Sequence, residues 1–289
     1  MATAFVPFAL PGYAVAGIGS WLGRALIDRR LRRVFTGASV VSMLGVLLHA
    51  GLLLPSYVGE HAAGRPDVTV MSANLRLGLG DTAEVARLAE DCDVDVLVLQ
   101  EVTPASLASL VDVRRELPHQ AGTPTVGARG TLVLSRYPLD DVTELKVFQG
   151  AWAMKVDAPK PFGLIAVHTT QPAGWIELWR SDQRSLLSHT TLAEKLGPLV
   201  VAGDFNATLD HRPMRDLLDL GLSDAARQAN AGWQPTWPGS ASEHALPFGI
   251  GAMAIDHVLV SKDFSTISTS THVVEDSDHR ALVVRLRHR

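Results

Sequence analysis

The stretch Val200–Asp210, VVAGDFNATLD, decides how this chain is read. A short apolar run, Leu199 to Ala202, passes through a glycine straight into Asp204 and Asn206, with only Phe205 between them. Gly-Asp and Asn-Ala pairs often mark the turn that ends a strand. The alternative is that a buried strand delivers two oxygen-bearing side chains to the rim of a sheet, where hard cations and phosphates are held. The rest of the chain has to separate the two.

Outward from this stretch, short apolar runs with turn signals predict strands at Val68–Ser72, Val94–Leu99, Thr131–Leu134, Ala151–Val156, Leu164–Val167, Leu199–Ala202, His257–Val260 and Leu282–Leu286. Helical patterns fall at Thr82–Glu90, Ile176–Leu196 and Met214–Leu220. Strands with hairpin-like connections between long helices predict a mixed α/β domain with layered sheets. Polar residues then recur at the strand ends: Asn74, Glu101, His168, Asp204 with Asn206, Asp256, and Asp278 with His279. A turn or a cap explains any one of them. Six coincidences are far less probable than one shared site, so the opening stretch reads as functional.

The ordered set SANL, LQEV, SRYPL, HTT, GDFNA, IDHVLVS and SDHRAL resembles the endonuclease/exonuclease/phosphatase (DNase I-like) superfamily over roughly Val68 to Leu286. The resemblance implies a four-layer α/β/β/α sandwich and a divalent-metal-dependent attack of water on a phosphate ester. It implies Glu101 as direct metal ligand, with Asn74 and Asp278 holding or orienting the ion. All-oxygen ligands suit Mg²⁺, with Mn²⁺ as the alternative. His279 resembles the base-like histidine, its tautomer set by Asp256. His168 resembles the histidine that donates to the phosphate or leaving group. Asp204 would orient or deprotonate the attacking water, and Asn206 would donate to a phosphate oxygen.

Other residues have plainer readings. Cys92 suits a small buried hydrophobe and His257 a packed histidine; Arg136 holds a carboxylate or a loop, and Asp210, His211 and Arg212 form a solvated turn. Arg76 stands where AP endonucleases carry an acidic residue, which puts a two-metal site in doubt. Two positions beyond Asn74, it alternates back to the same face, where its guanidinium would bind a substrate phosphate. A salt bridge to an acid such as Asp81 explains it equally well.

The N-terminal part has a different composition. No charged side chain occurs from Ala2 to Gly23 or from Val34 to Gly59, and each run is long enough for the ~20 residues that cross a hydrocarbon core. The expectation is two transmembrane helices in residues 1–59, a linker over 60–67 and the catalytic domain over 68–289. A cleaved signal peptide fits less well, since those begin with a basic stretch and no Lys or Arg precedes Arg24. Between the runs, RALIDRRLRR carries five arginines against one Asp28, which by the positive-inside rule keeps this loop cytoplasmic and the domain extracytoplasmic.

A net charge of −4 argues against a basic surface for long nucleic acid. Trp175, Trp179, Trp233 and Trp237 are expected to divide between core packing and the lipid interface. The chain also resembles membrane-bound bacterial members of the superfamily linked to glycopeptide resistance, whose outward-facing domain acts on a polyprenyl lipid carrier. The expected substrate is therefore a membrane lipid phosphate or pyrophosphate. An exported nuclease or phosphodiesterase is the alternative; a non-catalytic binding module need not keep all eight strand-end residues. No sequence feature bears on oligomeric state. For the topology, a reporter enzyme active only outside the cytoplasm should be active when fused after Arg289 and silent after Arg33. The reverse pattern would overturn the orientation.

Overall fold

A computed structural model describes residues 6–58, 62–239 and 251–289. Two six-stranded mixed sheets form its centre. The first has the order β11 (Phe264–Val273), β12 (Arg280–His288), β1 (Val68–Asn74), β2 (Val96–Gln100), β4 (Thr131–Ser135), β3 (His119–Thr123). The second has the order β5 (Leu139–Glu144), β6 (Ala151–Val156), β7 (Phe162–His168), β8 (Leu199–Asp204), β10 (Asp256–Val260), β9 (Ser223–Asp224). The sheets face each other across Val70, Val98, Leu164, Val200, Val258 and Val284. The outer face of the first packs through Met71, Leu97 and Val283 on helix α3 (Thr82–Asp91), which buries Val85 and Ala89, and on α5 (Val111–Glu116), which follows the short α4 (Pro104–Ser109) and buries Val113. The outer face of the second packs through Ile165, Val201 and Leu259 on α6 (Ile176–Glu194) and α7 (Arg212–Leu218). This is the layering expected of a DNase I-like sandwich. Central strands buried on both faces read as continuous apolar runs, which is why they stand out in the sequence.

Topology gathers the strand ends. β1 and β2 run parallel, as do β7 and β8, while β12 is antiparallel to β1 and β10 to β8. The carboxy ends of the parallel pairs and the amino ends of β10 and β12 therefore share one end of the sandwich. Two helices precede the domain. Helix α1 (Val6–Gly23) packs on α2 (Arg29–Leu53), where Gly45 lets the Tyr13 ring lie 2.7 Å from where a Cβ would stand. Among the described residues one helix, Leu31–Leu53, is long and apolar enough to cross a membrane, as an anchor or a signal segment would be. The described part of α1 has 18 residues and contains Pro11; at 1.5 Å per residue it spans about 27 Å, short of a ~30 Å hydrocarbon core. The expected pair of membrane helices is thus matched by one such helix, and residues 1–5 of the first apolar run lie outside the described residues.

Gly203 explains the glycine of the opening stretch. Its φ of +144° lies where L side chains rarely go, and a Cβ there would stand 1.9 Å from the Val167 carbonyl oxygen of the paired strand β7. Gly203→Ala should destabilise the domain by about 2–4 kcal/mol in denaturant unfolding; a loss below ~0.5 kcal/mol would contradict this account.

Candidate active site

Glu101 directly follows β2 and takes a φ of +57°, a costly conformation for a non-glycine residue that turns the chain out of the sheet. One carboxylate oxygen accepts from Leu77 N–H at 2.6 Å, and the other lies 3.4 Å from Asn74 Nδ2. Asn74, at the end of β1, also donates to Asp204 Oδ2 at 3.2 Å across the sheet-to-sheet gap, while its Oδ1 accepts from Arg76 N–H at 2.9 Å. Asp204 ends β8. Its Oδ1 accepts from Asn206 N–H at 2.8 Å, and its Oδ2 lies 3.3 Å from Asn206 Nδ2, 3.6 Å from His168 Nε2 and 3.8 Å from His279 Nε2. Asp256, opening β10, meets His279 Nδ1 at 2.9 Å. Asp278 is half-buried beside them and its charge bears on both Glu101 and His279. Seven of the eight expected residues are thus tied by direct contacts, and Asp278 joins them through its charge.

Burial sets the electrostatics. It pushes His168 down to about 3, with help from the charge on His279, so His168 is a neutral ring. Burial opposes charge on His279 too, but Asp256 and Asp204 beside it outweigh that and raise it to about 10, leaving an imidazolium. Asp204 is held well above the carboxylate range, first by burial and then by Asp256. Burial and Asp278 also raise Glu101, against its hydrogen bonds from Leu77 and Asn74. Two histidines in one site therefore take opposite charge states.

A divalent cation fits this donor set. Glu101 and Asp204 are both held above their ordinary range, each with a neighbouring carboxylate adding to the burial, and Asp256 Oδ1 has no hydrogen-bond partner among the described residues. Such an excess of buried oxygen donors is relieved by a hard cation. Asp204, Asp256 and His279 also bring ligand-type atoms within 4.8 Å of one another. His279 Nδ1 is, however, already engaged by Asp256, so that trio is better read as a proton-handling group.

Several plain readings hold. Cys92 is buried, Arg136 contacts Asp93 at 2.7 Å and Asp95 at 3.2 Å, and His257 is buried. Others need correction. His211 is not in a solvated turn but buried, its Nδ1 accepting from Thr208 N–H, with its ring 5.6 Å from that of Trp179. Trp179 is buried and donates to the Asn206 carbonyl, whereas Trp175 is 60% exposed. Arg76 does not continue the strand, since β1 ends at Asn74 and Arg76 has a φ of +44°, so strand alternation does not set its direction. Asp81 caps α3 through Ala83 and Glu84 N–H. Residues 240–250 of the tryptophan-bearing loop lie outside the described residues.

Supporting residues escaped the sequence reading. On α6, Asp182 accepts from Thr170 N–H and Oγ1 at 2.9 and 2.7 Å, and Gln183 donates to the Phe205 carbonyl at 2.7 Å. With Trp179 they follow i, i+3, i+4 spacing on the buried face, and polar residues on such a face are the signal that could have found them. Ser277 donates to the Asn74 carbonyl at 2.7 Å and accepts from His279 N–H at 3.0 Å, joining β1 to the SDH turn.

The endonuclease/exonuclease/phosphatase family matches residues 71–279. No curated protein matches the chain. Among solved structures, an endonuclease/exonuclease/phosphatase from Beutenbergia cavernae is similar at a TM-score of 0.60 and 21% identity, covering 78% of this chain and 72% of that one. An AP endonuclease from Archaeoglobus fulgidus is similar at 0.59 and 17%, covering 75% and 98%. A 3′ phosphatase from Neisseria bound to a product DNA hairpin is similar at 0.60 and 20%, covering 75% and 98%. At such identities the likeness is one of fold.

His257 gives a pH test beside the site. Its Nδ1 lies 3.0 Å from Asp224 Oδ2, and its Nε2 lies 3.0 and 3.1 Å from the Ala207 and Ala254 carbonyls. Burial opposes its charge, but Asp224 wins and the pKa is raised. The stability gained is therefore complete below the unfolded value of about 6.5 and is lost as pH rises through the higher folded value. Asp224→Asn removes the charge and keeps an oxygen to cap α8 (Ala225–Gln228). The parent's Tm advantage over Asp224→Asn should be largest at pH 6 and shrink toward pH 9; an advantage that grows with pH would overturn the assignment.

Proposed function

The chain belongs to the endonuclease/exonuclease/phosphatase family, metal-dependent hydrolases of phosphate esters, and from that premise we propose that it cleaves a lipid phosphate or pyrophosphate at the outer face of the cell membrane. The observation that carries the lipid reading is the docking of the helix pair onto the domain. Gly232 N–H donates to the Ser56 carbonyl at 2.8 Å and Trp233 N–H to the Tyr57 hydroxyl at 3.2 Å, just beyond the end of α2. Residues 1–59 form the anchor, α2 crossing the bilayer with α1 packed along it as a hairpin, 60–67 the linker and 68–289 the catalytic domain. The arginine-rich loop then lies at the far end of the hairpin from the domain, as a cytoplasmic loop and an outer domain require.

An eight-residue linker spans at most about 29 Å when fully extended, so the domain stays at the surface. Exposed apolar side chains on the loops at the site end support the same reading: Leu77 and Leu79 after β1, Val126 between β3 and β4, Phe148 between β5 and β6, and Trp175 after β7. Apolar side chains grouped around a mouth suit contact with lipid.

In this reading Glu101, with Asp278 and Asn74 beside it, would hold Mg²⁺, which would supply positive charge to the phosphate oxygens. Asp204, held by hydrogen bonds from Asn74 and Asn206, accepts the proton of the attacking water. Asn74 and Asn206 orient Asp204 through their amide groups. The His279 imidazolium, held by Asp256, donates Nε2–H to a phosphate oxygen, and neutral His168 donates a hydrogen bond without adding charge. This gives the base role to Asp204 and makes His279 an acid. Arg76, next to the Asn74 turn, takes the second phosphate of a pyrophosphate.

Purified full chain in micelles with Mg²⁺ should release phosphate faster from farnesyl pyrophosphate than from phosphatidic acid or a DNA hairpin bearing a 3′ phosphate. Glu101→Gln should lower that rate by about two orders of magnitude or more with Tm retained. Faster release from DNA would replace the lipid reading by a phosphatase acting on nucleic acid ends, and full activity of a folded Glu101→Gln would remove Glu101 as ligand.

A further inference from the structure

A cavity of about 370 Å³ lies where the helix pair meets the domain. Leu10 of α1, Leu53 at the end of α2 and Tyr57 form one wall; Ala226, Trp233 and Met253 form the other. It reaches Val258 of β10 and Leu282 of β12, one residue from each sheet, and Asp256. The opening has a topological cause. β9 is two residues long and pairs only with Leu259 and Val260, so the first part of β10 has no strand beyond it. Among the described residues, loops around Trp233 and Ala252–Ala254 cover that edge, and the cavity beneath them reaches the residues that line the gap between the sheets beside the buried site.

We propose that this cavity holds the first segment of the hydrocarbon chain of a lipid phosphate whose head group occupies the Asp204–His279 site. The proposal rests on the lipid reading above and assigns it a tail site. Three observations select this occupant. One wall continues the apolar Leu31–Leu53 helix, whose Leu44, Leu47, Leu48 and Leu52 side chains are exposed, so a hydrocarbon can pass from bilayer to cavity without crossing water. The inner end includes Asp256, which holds His279, so a tail in the cavity leads to a head group in the site. The size lies at the lower end of the roughly 300–1,000 Å³ of ligand pockets, enough for part of a long chain while the remainder stays in the bilayer.

A tail bound equally in substrate and transition state changes KM and leaves kcat alone. In detergent micelles with Mg²⁺, Ala226→Phe and Ala252→Phe, each checked for an unchanged Tm, should raise KM for farnesyl pyrophosphate about tenfold. KM for dimethylallyl pyrophosphate, too short to fill the cavity, and both kcat values should not move. A second measurement needs no hydrolysis. Farnesol added to the Glu101→Gln chain should change its tryptophan fluorescence, and the change should be lost in Trp233→Phe and in Ala226→Phe. If the parent hydrolyses farnesyl pyrophosphate but both cavity variants keep its KM and farnesol leaves the fluorescence unaltered, the tail site is overturned and the lipid reading survives. If no lipid pyrophosphate is hydrolysed yet the farnesol response disappears on filling the cavity, the lipid reading falls and the apolar site remains.

Discussion

One buried oxygen, Asp204 Oδ2, organises this molecule. Asn74, Asn206, His168 and His279 all stand within 3.8 Å of it. A carboxylate so far from water is tolerated only where donors reach it. The two sheets supply them jointly: Asn74 from one and Asn206 from the other, with the His279 and His168 rings beside them. The antiparallel entries of β10 and β12 beside the parallel pairs bring six chain segments to one place, and the sandwich is what holds them there.

Much of this was readable from residue order because the central strands are buried on both faces. Ala151–Val156 is a strand with the boundaries expected, and β1, β7, β8, β10 and β12 extend their expected cores by a few residues. β5 and β11 were missed for a physical reason. They lie at sheet edges, β5 as the largely exposed LDDVTE and β11 as the serine- and threonine-rich FSTISTSTHV, so neither presents an apolar run. β3, HQAGT, is likewise an edge strand with one buried residue. The site residues stood out because each follows or opens a buried strand. Asp182, Gln183 and Ser277 did not, since they act through backbone groups of segments remote in sequence.

Charge states were the least readable part. The sequence pairs His279 with an acid and suggests a base. Enclosure by both Asp256 and Asp204 makes it a cation, while the same burial without so close a carboxylate leaves His168 neutral. Those opposite outcomes depend on distances of a few ångströms, which no motif records. Arg76 shows the same limit: its place in the sequence suggested a strand face, and a left-handed turn moves it off that face.

The division of the site between the sheets has a mechanical consequence. Glu101, Asn74, Asp278 and His279 ride on one slab, and His168, Asp204, Asn206 and Asp256 on the other. Trp179, Asp182 and Gln183 lock the HTT and GDFNA turns to α6, so the second group moves as a unit with its slab. The Asp256–His279 and Asn74–Asp204 contacts are then rivets across the seam between the slabs. Any ligand that bridges the two groups adds a further tie between the slabs, and the site exists only in the one register of sheet against sheet that brings the two groups together.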